Sequence, residues 1–285
     1  MQTGRHESLT RSQAASNSPG LPWDEYGDRE TCLDKMWTTL QYQILKRIAP
    51  RQPDPTTPTL AAGQSRIGML LGRELFDRVV GKTVIDFGCG EGLDAIELAK
   101  HGARKVIGLE IRDSLIERAT RNAAAAGVAS RCEFTTRTAS KADVIVSIDA
   151  FEHFADPPAT LNMMAALLPA GGELLCSFGP TWYHPVGGHL FSVFPWAHLI
   201  FSEKALIRWR SDFKTDGATR FCEVEGGLNQ MTIRRFEQLI ASSPFSCESF
   251  EAVPIKSLAP VHNRLTREFT SSLVRCRLLK KPAAS

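Results

Sequence analysis

Apolar residues between positions 82 and 178 recur with two alternating patterns, and this alternation is the strongest structural signal in the chain. Short apolar runs rich in β-branched residues predict buried strands, whereas longer amphipathic stretches between them predict helices. The predicted strands cover residues 83–87, 106–110, 131–135, 143–147 and 173–178, and the last intervening helix covers residues 158–168. Strands that alternate with helices form a mostly parallel sheet with helices on both faces, so the pattern predicts an α/β fold.

The residues before this region predict helices and connecting segments. Residues 1–30 are polar and lack periodicity, which is typical of a disordered tail. Helical spacing of apolar residues predicts one helix over residues 31–48 and a second over residues 65–80. A stiff linker containing Pro50, Pro53, Pro55 and Pro58 separates them. These helices could cover the sheet edge or the mouth of a cleft, but packing without a further role is the favoured interpretation.

The alternation stops after the fifth strand. Residues 180–230 contain many aromatic and histidine side chains, and this segment is too long to be a plain connecting loop. We predict that this insert covers the substrate. Thr232 then caps a helix, and residues 245–253 and 271–279 predict two final strands. The predicted domains are therefore a tail (1–30), N-terminal helices with a linker (31–80) and a catalytic domain (81–285).

A glycine-rich turn directly follows the first strand. Asp86 ends the apolar run, and Gly88, Gly90 and Gly92 follow at every second position. Glycine lets the backbone turn sharply and approach a ligand closely, because no Cβ intervenes. A strand, a glycine turn and a helix in this order predict a nucleotide-like ligand at the carboxyl end of a sheet.

The chemistry of this turn disfavours a dinucleotide. Leu93 stands where the dinucleotide fingerprint has its third glycine, and Asp86 and Glu91 would repel a pyrophosphate. A cationic ligand without phosphate, such as S-adenosylmethionine, suits these acids better. Glu110, at the end of the next strand, lies about 20 residues beyond the turn, where a carboxylate can accept both ribose hydroxyls.

The segment from Asp86 to Gly92 resembles the first motif of the class I S-adenosylmethionine-dependent methyltransferases, which reads D/E-x-G-x-G-x-G. The resemblance implies a Rossmann-like, mostly parallel seven-stranded sheet. It also implies that S-adenosylmethionine is the cofactor and that Ile111 packs against its adenine. Ser147 and Asp149, at the end of the fourth strand, would line the cofactor near its methionine end. The implied cofactor-binding residues are Asp86, Gly88, Cys89, Gly90, Glu110, Ile111, Ser147 and Asp149.

Candidate chemistry on the acceptor side centres on histidines. The pair Glu152-His153 resembles a pair found in methyltransferases that act on quinone and phenol precursors, which makes His153 the candidate base. A histidine that only forms a structural hydrogen bond is the alternative. His184 and His189 are candidate acceptor contacts within the insert. The spacing of His184, His189 and His198 matches no metal-binding pattern, so no metal site is predicted.

Composition narrows the remaining choices. The formal charge of +3 and the scattered basic residues disfavour a nucleic-acid partner. None of the seven cysteines forms a C-x-x-C pair, so no redox or zinc motif is predicted. We found no secretory signal and no apolar stretch long enough to span a bilayer, so a cytoplasmic protein is expected. The aromatic insert is most simply the core of a lid, with contact to a membrane surface as an alternative.

These observations predict a methyltransferase that acts on a small-molecule or lipid-like acceptor, most simply at oxygen. Two other hypotheses stay open from the sequence. One is a nicotinamide-dependent oxidoreductase on a related sheet, and the other is a non-catalytic protein that keeps the methyltransferase fold. The sequence predicts neither the identity of the acceptor nor the oligomeric state.

Overall fold

The computed structural model describes residues 31–51, 65–224 and 226–282. The chain divides between Trp37 and Thr38 into two compact units, Met1–Trp37 and Thr38–Ser285. The second unit contains the sheet and all of the site residues discussed below. The predicted disordered tail and Pro53, Pro55 and Pro58 of the predicted linker lie outside the described residues.

A seven-stranded sheet forms the centre of the second unit and confirms the predicted α/β fold. Its strands follow the order β3-β2-β1-β4-β5-β7-β6, and among the described strands β7 alone runs in the direction opposite to the other six. The strands are β1 Thr83–Phe87, β2 Lys105–Leu109, β3 Cys132–Thr135, β4 Val144–Ile148, β5 Glu173–Phe178, β6 Phe245–Pro254 and β7 Ser271–Lys280. The five parallel strands lie within one residue of their predicted positions.

The strand order places a ligand crevice between β1 and β4. Strand β1 pairs with β2 on one side and with β4 on the other, so the chain reverses its direction of progress across the sheet at β1. In doubly wound sheets, ligands bind at the carboxyl ends of the strands beside such a reversal. The glycine turn after β1 and the segment after β4 both lie there.

Ten helices in the described residues connect and cover these strands. They are α1 Cys32–Ile48, α2 Arg66–Leu71, α3 Leu75–Val79, α4 Leu93–Lys100, α5 Asp113–Ala125, α6 Pro157–Leu167, α7 Ala197–Ile200, α8 Glu203–Arg210, α9 Ile233–Ala241 and α10 Arg267–Thr270. The prediction of one helix over residues 65–80 is wrong. Gly72 adopts φ +90° and separates α2 from α3, because helical backbone does not continue through the left-handed region.

The start of α5 also differs from what its sequence suggests. The sequence Ser114-x-x-Glu117 resembles a capping box, yet α5 begins at Asp113 and Ser114 is already inside the helix. Arg112 occupies the cap position without a side-chain cap. By contrast, the predicted cap of α9 is confirmed, since the Thr232 hydroxyl accepts a hydrogen bond from the backbone N–H of Arg235.

Alternating residues of the parallel strands supply two separate cores. Ile85, Ile107 and Ile145 face one layer of helices, in which they pack with α6 and α9 residues. Their neighbours Val84, Val106 and Val144 face the opposite layer, which contains α4 residues. Successive side chains of a strand point to opposite faces, so continuous apolar strands are expected where both faces are covered.

The aromatic insert forms a third core with residues of α1 that belong to the same unit. Phe191, Trp209 and Phe221 pack with Tyr42 and Leu45, and all five are buried. The Trp209 indole donates a hydrogen bond to the carbonyl oxygen of Ala49 over 2.8 Å. The insert and α1 therefore share a packed apolar core, as expected for an ordered lid.

The outer face of α1 differs from what an amphipathic helix usually presents. Leu40, Ile44 and Ile48 leave 50%, 41% and 51% of their surface exposed, whereas Gln41 is buried. The Gln41 side chain accepts hydrogen bonds from the backbone N–H and the hydroxyl of Ser202.

Among the helices of the described ranges, none combines the length and apolar character needed to cross a bilayer.

Candidate functional site

The glycine turn crosses over the carboxyl end of β2. The backbone N–H groups of Gly88 and Cys89 both donate to the carbonyl oxygen of Leu109, at 2.9 Å each. Gly88, Gly90 and Gly92 adopt φ values of +87°, +53° and +77°, which residues with a Cβ rarely adopt. An ideal Cβ on Gly90 would meet no atom within 4 Å, so the backbone of Gly90 faces open space. A ligand can approach the main chain there.

Asp86, the acid before the turn, lies inside the protein. Its side chain is buried, and Oδ2 has no hydrogen-bond partner. Burial, reinforced by the nearby Asp94 carboxylate, raises the pKa of Asp86 well above its ordinary value, and Arg66 opposes that rise. Its predicted contact with a cofactor stays a prediction, because the carboxyl group has little access to the crevice in this conformation.

Glu110 joins the turn to the end of β2. Oε2 accepts a hydrogen bond from the N–H of Gly90 over 3.1 Å, and Oε1 accepts one from the N–H of Arg112 over 3.1 Å. The side chain is 6% exposed and forms an ion pair with the Arg112 guanidinium. Ile111, which lies between these two residues, is 87% exposed. An exposed apolar side chain beside a fixed carboxylate can pack against the base of a nucleoside whose sugar contacts that carboxylate.

Cys89 also lies within the turn, and its chemistry is inert. Its Sγ is buried, and burial together with the Asp86 and Glu110 carboxylates raises the pKa of the thiol above its ordinary value. A thiol held in its protonated form is a poor nucleophile. Cys89 therefore fills space beside the turn.

The end of β4 and the segment that follows it are the second component of the site. Ser147 is fully buried, and its hydroxyl donates to the carbonyl oxygen of Phe87 over 3.2 Å, which ties β4 to the end of β1. Its predicted contact with a cofactor stays a prediction. Asp149 adopts φ +47°, and its N–H donates to the carbonyl oxygen of Ser177 over 2.8 Å.

Arg66, on α2, is a site residue that the sequence analysis missed. Its guanidinium binds the Asp94 carboxylate over 2.6 Å and also pairs with the Asp149 carboxylate. Partial burial raises the pKa of both acids, and Arg66 opposes that rise in each. Nothing in the sequence links Arg66 to these acids, which lie 28 and 83 residues further along the chain. Only its position in the first turn of a helix expected near the cleft mouth could have suggested that Arg66 belongs to the site.

Three side chains with metal-ligand and acid–base chemistry converge beyond Asp149. Glu152, His153 and His189 each place one ligand atom within 4.8 Å of the others. The imidazole rings of His153 and His189 meet edge to face, with their centroids 5.3 Å apart. The insert thus brings one of its predicted acceptor-contact residues to the candidate base, and we refer to these three residues as the Glu152 cluster.

Burial shifts the pKa values of two residues of the Glu152 cluster, Glu152 and His189. Burial, assisted by the charge of Asp149, raises the pKa of Glu152 to about 8. Burial, assisted by His153 and His198, lowers the pKa of His189 to about 4. At neutral pH, therefore, Glu152 is mainly protonated and His189 is neutral, which minimises charge in a poorly hydrated environment.

The other histidines of the insert serve its architecture. Nε2 of His198 lies 2.7 Å from the carbonyl oxygen of Trp182, and Nδ1 lies 2.9 Å from the Ser192 hydroxyl. Nδ1 of His184 accepts a hydrogen bond from the N–H of Val186 over 3.0 Å. His184 is not among the residues of the Glu152 cluster, so its predicted contact with an acceptor stays a prediction.

Comparison with a protein-family model supplies evidence that is independent of this geometry. The model describes a methyltransferase domain and matches residues 43–242, which include the sheet through β5, the insert and α9.

Two curated relatives match a smaller part of the chain. An ubiquinone biosynthesis O-methyltransferase of Coxiella burnetii is 36% identical over 126 residues, which are 40% of this chain and 53% of that protein. A ribosomal protein L11 methyltransferase of Escherichia coli is 41% identical over 101 residues, 34% of this chain and 33% of that protein. The chain therefore matches about half or less of the length of these relatives.

The chain also resembles solved structures. One is an S-adenosylmethionine-dependent methyltransferase from Mesorhizobium loti, with a TM-score of 0.46 and 16% sequence identity. The alignment covers 71% of this chain and 92% of that structure.

Proposed function

Because the chain belongs to the class I S-adenosylmethionine-dependent methyltransferase family, we propose that it transfers a methyl group from S-adenosylmethionine to a hydroxyl of a small-molecule acceptor. The observation that supports this proposal is the adjacency of the carboxyl ends of β1 and β4, which are paired neighbours in the sheet and are joined there by the Ser147–Phe87 hydrogen bond. The glycine turn with Glu110 suits the cofactor, and the Glu152 cluster, two of whose residues lie shortly after β4, suits the acceptor.

Residues on both sides of the crevice support the cofactor half of the proposal. Glu110 is fixed by two backbone N–H groups, so its carboxylate is already oriented before a ribose arrives. Preorganised groups bind better, because less conformational entropy is lost on binding. Arg66 places a positive charge beside Asp149, where the amino-acid end of the cofactor is expected. S-adenosylmethionine supplies an electrophilic methyl group, and the protein aligns it with the acceptor.

The Glu152 cluster supports the acceptor half. His153 Nδ1 lies 2.8 Å from the carbonyl oxygen of Gly227. A carbonyl oxygen only accepts hydrogen bonds, so Nδ1 carries the proton and Nε2 keeps a lone pair. A histidine in this tautomer can accept the proton of an acceptor hydroxyl as methyl transfer proceeds. His189 lies beside it and restricts the space that is available to the acceptor.

A small-molecule acceptor is favoured over a protein by the packing of the insert. His189 lies in the turn of 3₁₀ helix His189–Phe191, and the neighbouring Phe191 is buried in the core of the insert. The Glu152 cluster therefore consists of one buried and two half-buried residues, one of which belongs to the packed insert. The name of the Coxiella burnetii relative points to the same class of acceptor, whereas the name of the Escherichia coli relative points to a protein.

The proposal is tested by an acceptor screen with methyl-labelled S-adenosylmethionine. We expect label transfer to phenols or catechols and none to ribosomal protein L11 under the same conditions. Transfer to the protein alone would overturn the small-molecule assignment. A complete lack of transfer by a chain that binds S-adenosylmethionine would instead favour a non-catalytic binding protein.

A further inference from the structure

We propose that Glu152, His153 and His189 form a binding site for a divalent first-row transition metal ion. The three ligand atoms, one from each residue, lie within 4.8 Å of one another. A bound ion can draw such atoms together with small side-chain movements, because metal–ligand bonds to nitrogen and oxygen are about 2.0–2.2 Å long. One carboxylate and two imidazoles form a ligand set that these ions accept readily.

The hydrogen-bond inventory of these residues points to a missing partner. Oε2 of Glu152 is buried without a hydrogen-bond partner, and the whole residue is only 2% exposed. Nε2 of His189 is also buried without a partner. Buried polar atoms in native proteins are almost always satisfied, so two unsatisfied atoms within one small cluster require an explanation. A cation between them would satisfy both atoms, and its binding would release to solvent the proton that Glu152 otherwise carries.

The surrounding backbone holds two of the three ligands in an orientation suited to a metal. Nδ1 of His153 donates to the carbonyl oxygen of Gly227, which leaves Nε2 free to bind an ion. Oε1 of Glu152 accepts a hydrogen bond from the N–H of Gly179 over 3.3 Å, which leaves Oε2 as the available oxygen. Metal-binding histidines usually donate their other N–H to a carbonyl or carboxylate, and metal-binding carboxylates are themselves hydrogen-bonded.

The sequence could not reveal this site, because His189 is 36 residues away from His153 and belongs to a different structural segment. Spacing rules for metal sites apply to ligands on one helix or one loop. The sequence analysis weighed only the three histidines of the insert, and those do not converge. His198 uses both ring nitrogens in hydrogen bonds to Trp182 and Ser192.

The use of the ion rests on the proposed function. A metal ion that contacts the hydroxyl oxygen of an acceptor lowers the pKa of that hydroxyl, as it does for bound water. Such an ion would also orient an acceptor that offers two neighbouring oxygens. Cation binding itself, however, needs neither the cofactor nor the acceptor.

The test is a titration of the full chain with Co²⁺, followed by visible absorption and calorimetry without cofactor or acceptor. We expect one ion per chain and a loss of affinity on the order of 10²-fold or more in Glu152→Gln and in His189→Asn. His184→Asn changes a histidine of the same insert outside the cluster, and we expect it to bind like the unaltered chain. Exposed Cys32, Cys222 and Cys247 can also bind cobalt. Binding that shows thiolate charge-transfer bands and survives both cluster variants would overturn the proposal, as would no binding at all.

A second measurement does not depend on the folding of the variants. Co²⁺ at the cluster should produce hyperfine-shifted imidazole N–H signals in the proton spectrum of the unaltered chain. The Nδ1–H of His153 is hydrogen-bonded to Gly227 and should therefore exchange slowly enough to be observed. Stoichiometric cobalt binding without such signals would contradict the assignment. Because no methyl transfer is measured, a negative result leaves the proposed function standing, and failure of that function leaves the cation site standing.

Discussion

Arg66 and Asp149 form an ion pair that joins α2 to the segment after β4, and the same guanidinium binds Asp94 in the first turn of α4. The Arg66 guanidinium therefore connects α2, α4 and the segment after β4 beside the crevice, although these elements are distant in sequence. All three side chains remain partly accessible, at 42% for Arg66, 15% for Asp94 and 37% for Asp149. An ion pair with this exposure contributes little to stability by itself, so its position at the crevice points to a role in binding.

Replacement of Arg66 should weaken cofactor binding more than it weakens the fold. In Arg66→Ala, Asp94 and Asp149 lose the guanidinium that opposes the rise of their pKa values, and the crevice loses one positive charge. We expect the Kd for S-adenosylmethionine to rise about tenfold or more, the scale of one hydrogen bond to a charged group. Calorimetry measures this change, and Arg73→Ala, at an exposed position of the α2–α3 connection, is the control. Equal affinities for the two variants would remove Arg66 from the site.

Two glycines of the turn should respond differently to alanine. At Gly92 a Cβ would come within 2.8 Å of Ala119 and of the Phe134 ring, in addition to the strain of φ +77°. At Gly90 only the strain of φ +53° applies, because the space around that Cβ is open. We expect Gly92→Ala to lower the free energy of unfolding by about 2 kcal/mol or more, and Gly90→Ala by about 1–2 kcal/mol. Urea unfolding measures both.

Gly90→Ala should still impair cofactor binding, because the open space that its Cβ enters is where the cofactor is expected. Gly127→Ala is a matched control, since Gly127 has φ +72°, equally open surroundings and a position after α5. The two variants should have similar stability, and only Gly90→Ala should lose affinity for S-adenosylmethionine. Unchanged affinity in Gly90→Ala would place the cofactor elsewhere.

Acid should destabilise the protein partly through His184. Burial, assisted by His198, lowers the pKa of His184 from 6.5 to about 4. Between these values the unfolded chain takes up a proton that the folded chain does not, so stability is lost as the pH falls from 6.5 toward 4. His184→Asn retains an acceptor for the Val186 N–H and cannot titrate. The fall in Tm between pH 7 and pH 5 should therefore be shallower in this variant, and parallel curves would contradict the assignment.

Loss of His153 should separate chemistry from cofactor binding. His153→Ala removes the candidate base and leaves the glycine turn and Glu110 unchanged. We expect a similar Kd for S-adenosylmethionine and transfer that is slower by about 10²-fold or more. The same measurements on His262→Ala provide a control, because His262 hydrogen-bonds Thr270 in the connection between β6 and β7. Near-normal transfer by His153→Ala would defeat the assignment of His153.

The sequence predictions were accurate where interactions between residues close in sequence determine the structure, and less accurate elsewhere. The strand at residues 83–87 and the glycine turn were predictable, because β-branched runs and left-handed glycines act locally. The same reasoning missed the break at Gly72, because an isolated glycine inside an amphipathic pattern is also compatible with a continuous helix.

Long-range contacts within the site were beyond sequence reasoning. His189 was predicted to contact an acceptor, yet its approach to Glu152 and His153 depends on how the insert packs on Tyr42 and Leu45. Arg66 was missed because its partners are charged residues of other elements. Residues in a site of this kind are recognisable only after the tertiary packing is known.

The binding of S-adenosylmethionine to the full chain tests the central claim most directly. We expect calorimetry to show one S-adenosylmethionine bound per chain and no binding of a nicotinamide dinucleotide. We also expect Glu110→Gln to weaken binding at least about tenfold, because its amide cannot reproduce a carboxylate that accepts from Gly90 and the ribose hydroxyls. Glu117→Gln, at an exposed position of α5, should bind normally. Nicotinamide dinucleotide binding without S-adenosylmethionine binding, or full affinity in Glu110→Gln, would contradict the account.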